Sequence, residues 1–412
     1  MVFTVNRNVI IPDTDRDDKG SVFKSYALTF IVCLPFFTHG VESNNLTISA
    51  HAGHFKTPET VPWTTIAFIL ASIFSAPIQS FFIDKWGRKF GIYIVILLQG
   101  ASCIPLLLPP NDVGFIILHI LCGISTAGLF ICVPIYIREI STTTIRGIAA
   151  LMMVMTSAGY LVRFGLDSEN LLYLIAAMVM AQFVSVFLVI ESPSYLVKRR
   201  KFEEAARNMA KLKCLPVNDC YIINEITLLK EESERAQPNG QWNVLDIWKN
   251  TIWRDEMKIG LMLFTITVLS GCIIFLDQEK TLVQIKTFKD PDNILVPVCL
   301  LVGAIICIVS IKFVERKYLL TFAYSVMVLS MGTLAVFTQA DLTVTSSRWL
   351  PVAALGVLVF GYGLAWGLPT IIMVEILNLE ASLLRLLFYI NVIVKTVLRM
   401  RRKISNDAFR LE

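Results

Sequence analysis

Charged side chains are scarce in this sequence. Asp, Glu, Lys and Arg make up 17% of its 412 residues, whereas about 25% is usual in soluble domains. Hydrophobic residues make up 55%, and the mean hydropathy is +0.65. The few charges are concentrated in connecting segments, which leaves long stretches between them nearly free of charge. This composition excludes an ordinary soluble protein and indicates a chain that crosses a membrane several times.

Signals of several other protein classes are also missing. No run of basic residues interleaved with aromatic residues is present, so nucleic acid is not an expected partner. Seven of the nine cysteines lie in apolar stretches, and Cys214 and Cys220 lack metal-ligand spacing, so neither a metal nor another cofactor is expected. No arrangement of a nucleophile and a base suggests an enzyme. The N-terminus has mixed charges and no cleavage signal, so the first span is expected to insert without a cleaved leader.

The sequence does contain a series of apolar segments. Each is close to the length of about 20 residues that a helix needs to cross a bilayer. A polar insert at 191–257 interrupts the series, and its two amphipathic stretches favour helices over a folded soluble domain. We therefore expect an all-α polytopic membrane protein with six spans in residues 1–190, a cytosolic helical connector at 191–257, and four to five spans in residues 258–412. The ten clearest segments are 25–42, 62–83, 90–109, 113–137, 148–166, 171–190, 258–276, 293–314, 319–339 and 350–374.

The short loops predict the orientation of these spans. Basic residues cluster in the loops after the second, fourth and eighth segments, which all fall on one face, and the positive-inside rule makes that face cytosolic. The N-terminus is then cytosolic, and a multi-pass protein of the plasma membrane is expected. A sequon at Asn45 lies in the first outside loop, where glycosylation is expected. The basic loop residues are Lys85, Arg88, Lys89, Arg138, Arg146, Lys312, Arg316 and Lys317.

Three motifs at the ends of predicted spans carry a family resemblance. S-F-F-I-D-K-W-G-R-K at 80–89 resembles the signature of the major facilitator superfamily, with Ser80 in place of a Gly. P-I-Y-I-R-E-I-S-T-T-T-I-R-G at 134–147 and E-S-P-S-Y-L at 191–196 resemble sugar-porter motifs, and the latter is most like insect facilitated trehalose and glucose transporters. The resemblance implies two pseudo-symmetric helical halves, 10–11 spans with an incomplete second half, and a substrate site between the halves at the midplane.

The resemblance also implies two groups of functional residues. Opposite charges at a junction of helices can hold one conformation and release another. On this basis we expect a cytosolic latch made of Asp84, Arg88, Lys89, Glu139, Arg146 and Glu191 in the first half and of Glu315, Arg316 and Glu375 in the second. The polar and aromatic residues expected to contact substrate are Thr267, Ser270, Tyr362, Trp366 and Thr370.

The second half departs from the family pattern where the substrate would bind. Thr267 and Val268 stand in place of two Gln, and Ile273 stands in place of an Asn. Each amide hydrogen bond lost removes about 0.5–1.5 kcal/mol of net stabilisation. Two hypotheses therefore remain: a monomeric, facilitative carrier of a sugar such as a hexose or trehalose, or a non-transporting sensor or inactive truncated relative. Direct sugar uptake distinguishes them.

The stretch 383–398 generates a testable prediction about topology. Its roughly 16 residues reach about 24 Å as a helix, which is less than the ~30 Å hydrocarbon core. Arg385 and Lys395 lie within it, and a full crossing would place the basic segment at Arg399 outside. We expect this stretch to lie at the cytosolic surface, with an eleventh span as the alternative. An epitope tag at Glu412 is expected to stain only after cells are permeabilised, and staining of intact cells would show a crossing.

Overall fold

The computed structural model describes residues 19–42, 60–107, 112–141, 149–164, 166, 168–236, 251–270, 294–339 and 349–376. Within these ranges the chain is α-helical apart from short turns and short 3₁₀ stretches, and it contains no β-strand. Each of the ten predicted segments overlaps one or two of the described helices, and the all-α polytopic prediction is confirmed. The first seven helices of the described part are α1 (Lys19–Glu42), α2 (Thr60–Trp86), α3 (Arg88–Ser102), α4 (Ile104–Leu107), α5 (Asp112–Ile140), α6 (Leu151–Phe164) and α7 (Ser168–Ser185).

The remaining helices comprise the connector and the second group of apolar helices. The predicted connector contains α8 (Pro193–Lys198), α9 (Phe202–Lys213) and α10 (Cys220–Ala236), which pack on one another around Tyr195, Leu196, Val197 and Ala205. The second group consists of α11 (Thr251–Leu269), α12 (Leu295–Ser310), α13 (Arg316–Gln339), α14 (Trp349–Ala365) and α15 (Leu368–Ile376).

The lengths and compositions of these helices fit a bilayer. Six of the described helices are long and apolar enough to cross a membrane, namely α1, α2, α5, α7 with its 3₁₀ extension, α13, and α14 with α15. Three more, in α6, α11 and α12, are apolar but shorter. Large apolar side chains such as Phe74, Val328 and Leu329 point outwards with about 70% of their surface exposed. An apolar outer surface of this kind is stable in contact with lipid and not in water.

Two predicted spans are broken in the structure because of prolines. The segment 90–109 is divided between α3 and α4 at Cys103, and Pro105 lies in the first turn of α4. The segment 350–374 is divided between α14 and α15, and Pro369 lies in the first turn of α15. A proline is tolerated in the first turn of a helix because the amide hydrogen it lacks would have no partner there.

Buried glutamines join helices of the first group, which consists of α1 to α7. Gln99 in α3 donates a hydrogen bond from Nε2 to the carbonyl of Pro35 in α1 at 2.9 Å. Gln182 in α7 donates to Thr38 Oγ1 in α1 at 2.7 Å, and Gln79 in α2 donates to the carbonyl of Ile124 in α5 at 2.5 Å. Interhelical hydrogen bonds of this kind average about 0.6 kcal/mol in membranes. They fix the register of α1, α2, α3, α5 and α7 more than they add to stability.

Glycine permits the closest helix crossings. A Cβ atom added to Gly159 in α6 would overlap the carbonyl of Phe37 in α1, and one added to Gly303 in α12 would lie 2.5 Å from the carbonyl of Phe360 in α14. Small residues at a crossing let two backbones approach, which is how helices gain packing energy where lipid is as apolar as protein.

These crossings predict the effect of adding a single methyl group. Gly159→Ala forces α1 and α6 apart because the obstructing atoms belong to the backbone, and we expect a loss of about 1–3 kcal/mol of stability. Gly332→Ala is the matched control, since a Cβ atom there meets nothing within 4 Å. Thermal unfolding in detergent should show a lower midpoint for Gly159→Ala and no loss for Gly332→Ala. Equal midpoints would contradict the close crossing.

Candidate functional site

The first candidate site surrounds the turn between α2 and α3. Gly87 forms this turn with φ = 108°, a backbone conformation that residues other than glycine rarely adopt. A Cβ atom on Gly87 would also overlap the carboxylate of Glu191. The glycine of the predicted motif is therefore required both by the backbone angle and by the space that Glu191 occupies.

Arg88 begins α3 and is 2% exposed. Its Nε atom lies 3.0 Å from Glu139 Oε2 and its Nη2 atom 3.0 Å from Glu139 Oε1, so the two side chains form a bidentate ion pair. Asp84 Oδ1 lies 3.8 Å from Arg88 Nη1. Two carboxylates thus compensate one buried guanidinium, and bidentate geometry is the strongest form of this pair. The pair connects the start of α3 to the end of α5.

Glu191 occupies the N-terminus of α3. Its carboxylate accepts hydrogen bonds from the backbone N–H of Arg88 at 2.9 Å and of Lys89 at 3.3 Å. Burial raises the pKa of the Glu191 carboxyl above its usual range, while bonds from the backbone N–H groups of Ser192, Arg88 and Lys89 oppose this shift. An anion at a helix N-terminus satisfies amides that have no partner in the helix. Glu191 thereby attaches the start of the connector to α3.

Three residues without a predicted role complete this site. Tyr195 in α8 donates from its hydroxyl to the carbonyl of Lys85 at 2.9 Å, and its ring lies 5.2 Å from the Arg88 guanidinium carbon. Tyr136 in α5 donates to the carbonyl of Ile190 at 2.7 Å. Arg199 donates to the carbonyl of Lys85. The two tyrosines lie inside the quoted motifs, so their motif position is the signal that could have identified them.

The structure thus brings Asp84, Arg88, Glu139 and Glu191 together, with the Lys89 ammonium 3.4 Å from the carbonyl of Phe187. We call these five residues the latch cluster, and the end of the helix bundle that contains them the latch face. The predicted latch residue Arg146 lies outside the described residues, as does the sequon at Asn45.

The predicted latch residues of the second group of helices are placed differently. Glu315 Oε2 lies 2.9 Å from the ammonium of Lys317, and both side chains are 68% exposed. Exposed pairs of this kind contribute about 0–1 kcal/mol. Arg316 is the first residue of α13, and the side chain of Glu375 lies outside the described part. The second group also reaches the latch face through Lys312, whose ammonium lies 6.0 Å from the ring centre of Tyr26 in α1.

The residues predicted to contact substrate fall into two groups. Tyr362 in the last turn of α14 and Trp366 directly after this helix stack with ring centres 6.3 Å apart, and the buried Thr370 follows in α15. Thr267 in α11 shares a 2.5 Å hydrogen bond with the hydroxyl of Tyr324 in α13, and Ser270 donates to the carbonyl of Thr267. The hydroxyls of Thr267 and Ser270 are therefore already engaged by protein groups.

An aromatic line crosses between the two groups of helices, and sequence reasoning missed its first-group members. The ring of Phe130 in α5 lies 6.1 Å from the ring of Trp366 in an edge arrangement and 5.7 Å from that of His39 in α1. His39 Nδ1 lies 3.2 Å from Thr126 Oγ1. Phe130 lies outside the quoted motif, which begins at Pro134, so only the tertiary packing of α1, α5 and α14 reveals this line.

A buried carboxylate was also missed. Glu42 is the last residue of α1 and is 5% exposed. It accepts hydrogen bonds from Ser102 Oγ at 3.0 Å and from Cys122 Sγ at 3.7 Å. A carboxylate buried in a helix bundle is costly and is a candidate for function by default. Glu42 is the last residue of a predicted span, where a charged side chain is expected to be exposed at the membrane surface, so nothing in the sequence indicated its burial.

The comparisons with known proteins match this architecture. The sequence profile of the family described as "Sugar (and other) transporter" matches residues 26–396. The facilitated trehalose transporter Tret1 of Bombyx mori is 25% identical over 342 residues, which are 78% of this chain and 65% of that protein. The hexose transporter HXT10 of Saccharomyces cerevisiae is 27% identical over 222 residues, which are 50% of this chain and 40% of that protein. The chain thus spans about two thirds or less of the length of these relatives.

Solved structures show the same fold at low sequence identity. The proton:xylose symporter XylE bound to 6-bromo-6-deoxy-D-glucose is 17% identical, with a TM-score of 0.71 over 92% of this chain and 86% of that chain. XylE from E. coli in a partially occluded inward-open conformation is 16% identical with a TM-score of 0.68, over 91% of this chain and 89% of that chain. Together with the profile match, the likeness shows that this chain is a polytopic protein of the major facilitator fold and belongs to the sugar transporter family.

Proposed function

We propose that this protein carries a sugar, such as a hexose or a trehalose-like disaccharide, across the plasma membrane by facilitative alternating access. The observation that carries the proposal is the latch cluster, in which the buried ion pair of Arg88 and Glu139 joins α3 to α5. The names of the trehalose and hexose transporters among the relatives support the substrate class. The protein acts as a monomer in this proposal, with six spans in residues 1–190 and a second half in residues 258–412, joined by the connector.

The latch cluster suits a two-state mechanism for an energetic reason. Removing one partner of a buried ion pair costs about 3–5 kcal/mol because the remaining charge stays buried. The pair therefore persists while α3 and α5 stay packed. Since α5 also packs on α15 of the second group, the pair holds α5 in the position that closes the latch face. Opening that face exchanges these contacts for water, which solvates the freed charges.

The orientation of this proposal places the latch face in the cytosol. Lys85, Arg88 and Lys89 lie at this face together with the connector helices, and basic residues in short loops favour the cytosolic side. Lys24 near the start of α1 donates from its ammonium to the carbonyl of Lys211 in α9 at 2.6 Å, which puts the N-terminal end of α1 at the same face. The N-terminus is then cytosolic.

The aromatic line supplies the sugar path. The rings of Phe130, Trp366 and Tyr362 line up between α5 and α14 where the two groups of helices meet. Faces of aromatic rings pack against the apolar C–H faces of sugars, while Thr126, His39 and Thr370 supply nearby polar groups. We propose this line, with Tyr362, Trp366 and Thr370 from the original prediction, as the substrate path.

A non-transporting sensor is the second candidate, and one observation favours it. The hydroxyls of Thr267 and Ser270 are held by Leu263, Tyr324 and Thr267 itself, so α11 offers few open groups to a sugar. A sensor binds sugar at the same place without completing the conformational cycle. Binding and uptake therefore separate the two candidates.

Uptake of radiolabelled trehalose and glucose in oocytes tests the proposed function. Saturable uptake above that of water-injected cells is expected, and a protonophore is expected to leave it unchanged. Trp366→Ala should reduce uptake about tenfold or more through loss of the aromatic contact, whereas Phe322→Ala, which removes an outward-facing ring of α13 that is 58% exposed, should not.

Two outcomes would replace the facilitative proposal. Sugar binding without uptake at confirmed surface expression would favour the sensor. Coupling to protons through the buried carboxylate would give a different pair of results. The protonophore would abolish uptake by the wild-type chain but would have no effect on uptake by Glu42→Gln.

The latch cluster generates a separate prediction that uses a native cysteine. Cys132 in α5 is fully buried and donates from Sγ to the carbonyl of Arg88 at 3.3 Å, so it is covered as long as α3 and α5 are packed. In Glu139→Gln, alkylation of Cys132 by N-ethylmaleimide is expected to accelerate at least about tenfold. A loss of about 1.4 kcal/mol in the stability of the packed α3–α5 state is enough for this change, and removing one partner of a buried ion pair costs more. Peptide mass spectrometry measures the modification of Cys132 separately from that of the exposed Cys214 and Cys220.

The matched control is Glu203→Gln, which removes a carboxylate that is 91% exposed and paired with Arg207 at 3.7 Å. It is expected to leave the alkylation rate within a factor of two. If Cys132 is alkylated no faster in Glu139→Gln than in the control, the ion pair does not hold α3 and α5 together.

A further inference from the structure

A cavity of about 580 Å³ lies at the latch face between the α2–α3 turn and the connector helices. Its walls come from Trp86 at the end of α2, from Glu191 and Tyr195 at the start of the connector, and from α9. This volume falls in the range of small-molecule sites, which is about 300–1,000 Å³. Neither the sugar path nor the Arg88–Glu139 pair occupies it.

The charge of the cavity is predominantly positive. Four cationic side chains line it, from Arg199, Lys201, Arg207 and Lys211, against the two carboxylates of Glu191 and Glu204. The Glu191 carboxylate is engaged by the backbone N–H groups at the start of α3. Positive charge inside a concave surface raises the local concentration of anions.

The cations are also available to a ligand. Lys201 pairs with Glu204 at 3.2 Å with both side chains more than half exposed, and Arg207 pairs with the exposed Glu203 at 3.7 Å. Such surface pairs are worth about 0–1 kcal/mol, so a multiply charged anion displaces them readily. Within the described part of the chain, none of the ion pairs found involves the ammonium of Lys211.

One wall of the cavity is aromatic. The indole of Trp86 is 47% exposed and is held in place by stacking on Phe82 at 4.7 Å and by an edge contact with Phe90 at 4.7 Å. A rigid, exposed aromatic face beside a basic wall fits a ligand that has an anionic group and a flat or apolar part. Exposed apolar side chains such as Phe81 lie nearby on α2, so the site suits the apolar part of a free molecule or of a lipid.

We propose that this cavity binds a phosphate group of at least two negative charges, as in a polyphosphate or a phosphorylated lipid headgroup, and that the bound phosphate stabilises the closed latch. Arg207 and Lys211 on α9 and Lys201 at its start hold the phosphate, since guanidinium and ammonium groups are the usual ligands of phosphate oxygens. The coupling to the latch is direct because Tyr195 and Arg199, which line the same cavity, hold the carbonyl of Lys85 beside Gly87. A ligand that bridges α9 and this turn binds only while they are adjacent, so it favours the closed state.

The test uses the purified full-length chain in detergent at 0.15 M NaCl. Sodium tripolyphosphate and dioctanoyl phosphatidylinositol 4,5-bisphosphate are titrated separately, with binding followed by calorimetry. The double variant Arg207→Gln/Lys211→Gln is expected to bind at least tenfold more weakly than the wild-type chain. The control Lys230→Gln/Lys258→Gln removes the same net charge from exposed positions that do not line the cavity, and it is expected to bind within a factor of two.

The two titrations identify the source of the phosphate. Binding of tripolyphosphate indicates a free polyphosphate ligand, and binding of the lipid alone indicates a headgroup; either result with the expected loss in the double variant supports the site. The bound probe should also slow alkylation of Cys132, which a ligand that only adheres to the surface would not do. Failure of both probes to bind, or equal affinities for the double variant and the control, would overturn the proposal.

Discussion

The burial of one guanidinium constrains the whole latch face. A charge removed from water costs several kcal/mol unless carboxylates and hydrogen bonds replace its hydration, and Arg88 is 2% exposed. Glu139 supplies the bidentate partner, and Asp84 supplies a second carboxylate within 4 Å. The turn before Arg88 must then be tight enough to direct the side chain inwards, which requires Gly87 and leaves space for Glu191. The ends of α2, α3 and α5 and the start of the connector are placed by this one requirement.

The helices of the first group are packed rigidly on one another, so the position of the latch face is coupled to the rest of the group. Buried amides of Gln79, Gln99 and Gln182 fix the register of neighbouring helices, and Gly159 lets α1 and α6 approach closely. A bundle joined in this way moves as a unit, because a packed core is not continuously deformable. Its contacts with the second group, mainly of α6 with α12 and of α5 with α15, are fewer than the contacts among its own helices. This difference between rigid groups and a changeable contact between them is what alternating access requires.

Much of this architecture could be predicted from the sequence. Hydrophobic length is set by the bilayer, so each of the ten apolar segments overlaps a described helix. The quoted motifs contain Asp84, Arg88, Glu139 and Glu191, which the structure brings together. The partner of each charge could not be predicted, because pairing depends on how three helices and the connector meet in space. Tyr195 and Arg199 were missed for the same reason, since their hydrogen bonds reach a carbonyl more than 100 residues earlier in the chain. Glu42 and Phe130 lie outside the quoted motifs, and their contacts with Ser102, Cys122 and Trp366 exist only in the tertiary structure.

Pulsed electron paramagnetic resonance tests most directly whether the Arg88–Glu139 pair controls the opening of the latch face. Spin labels at position 203 in the connector and position 313 in the second group of helices, both more than 80% exposed, report the separation across this face once the native cysteines, Cys132 included, are replaced by Ser. If the pair controls the opening, the chain with native Glu139 shows a short distance, and a second, longer distance gains population in Glu139→Gln. An identical distance distribution in the two proteins would contradict it.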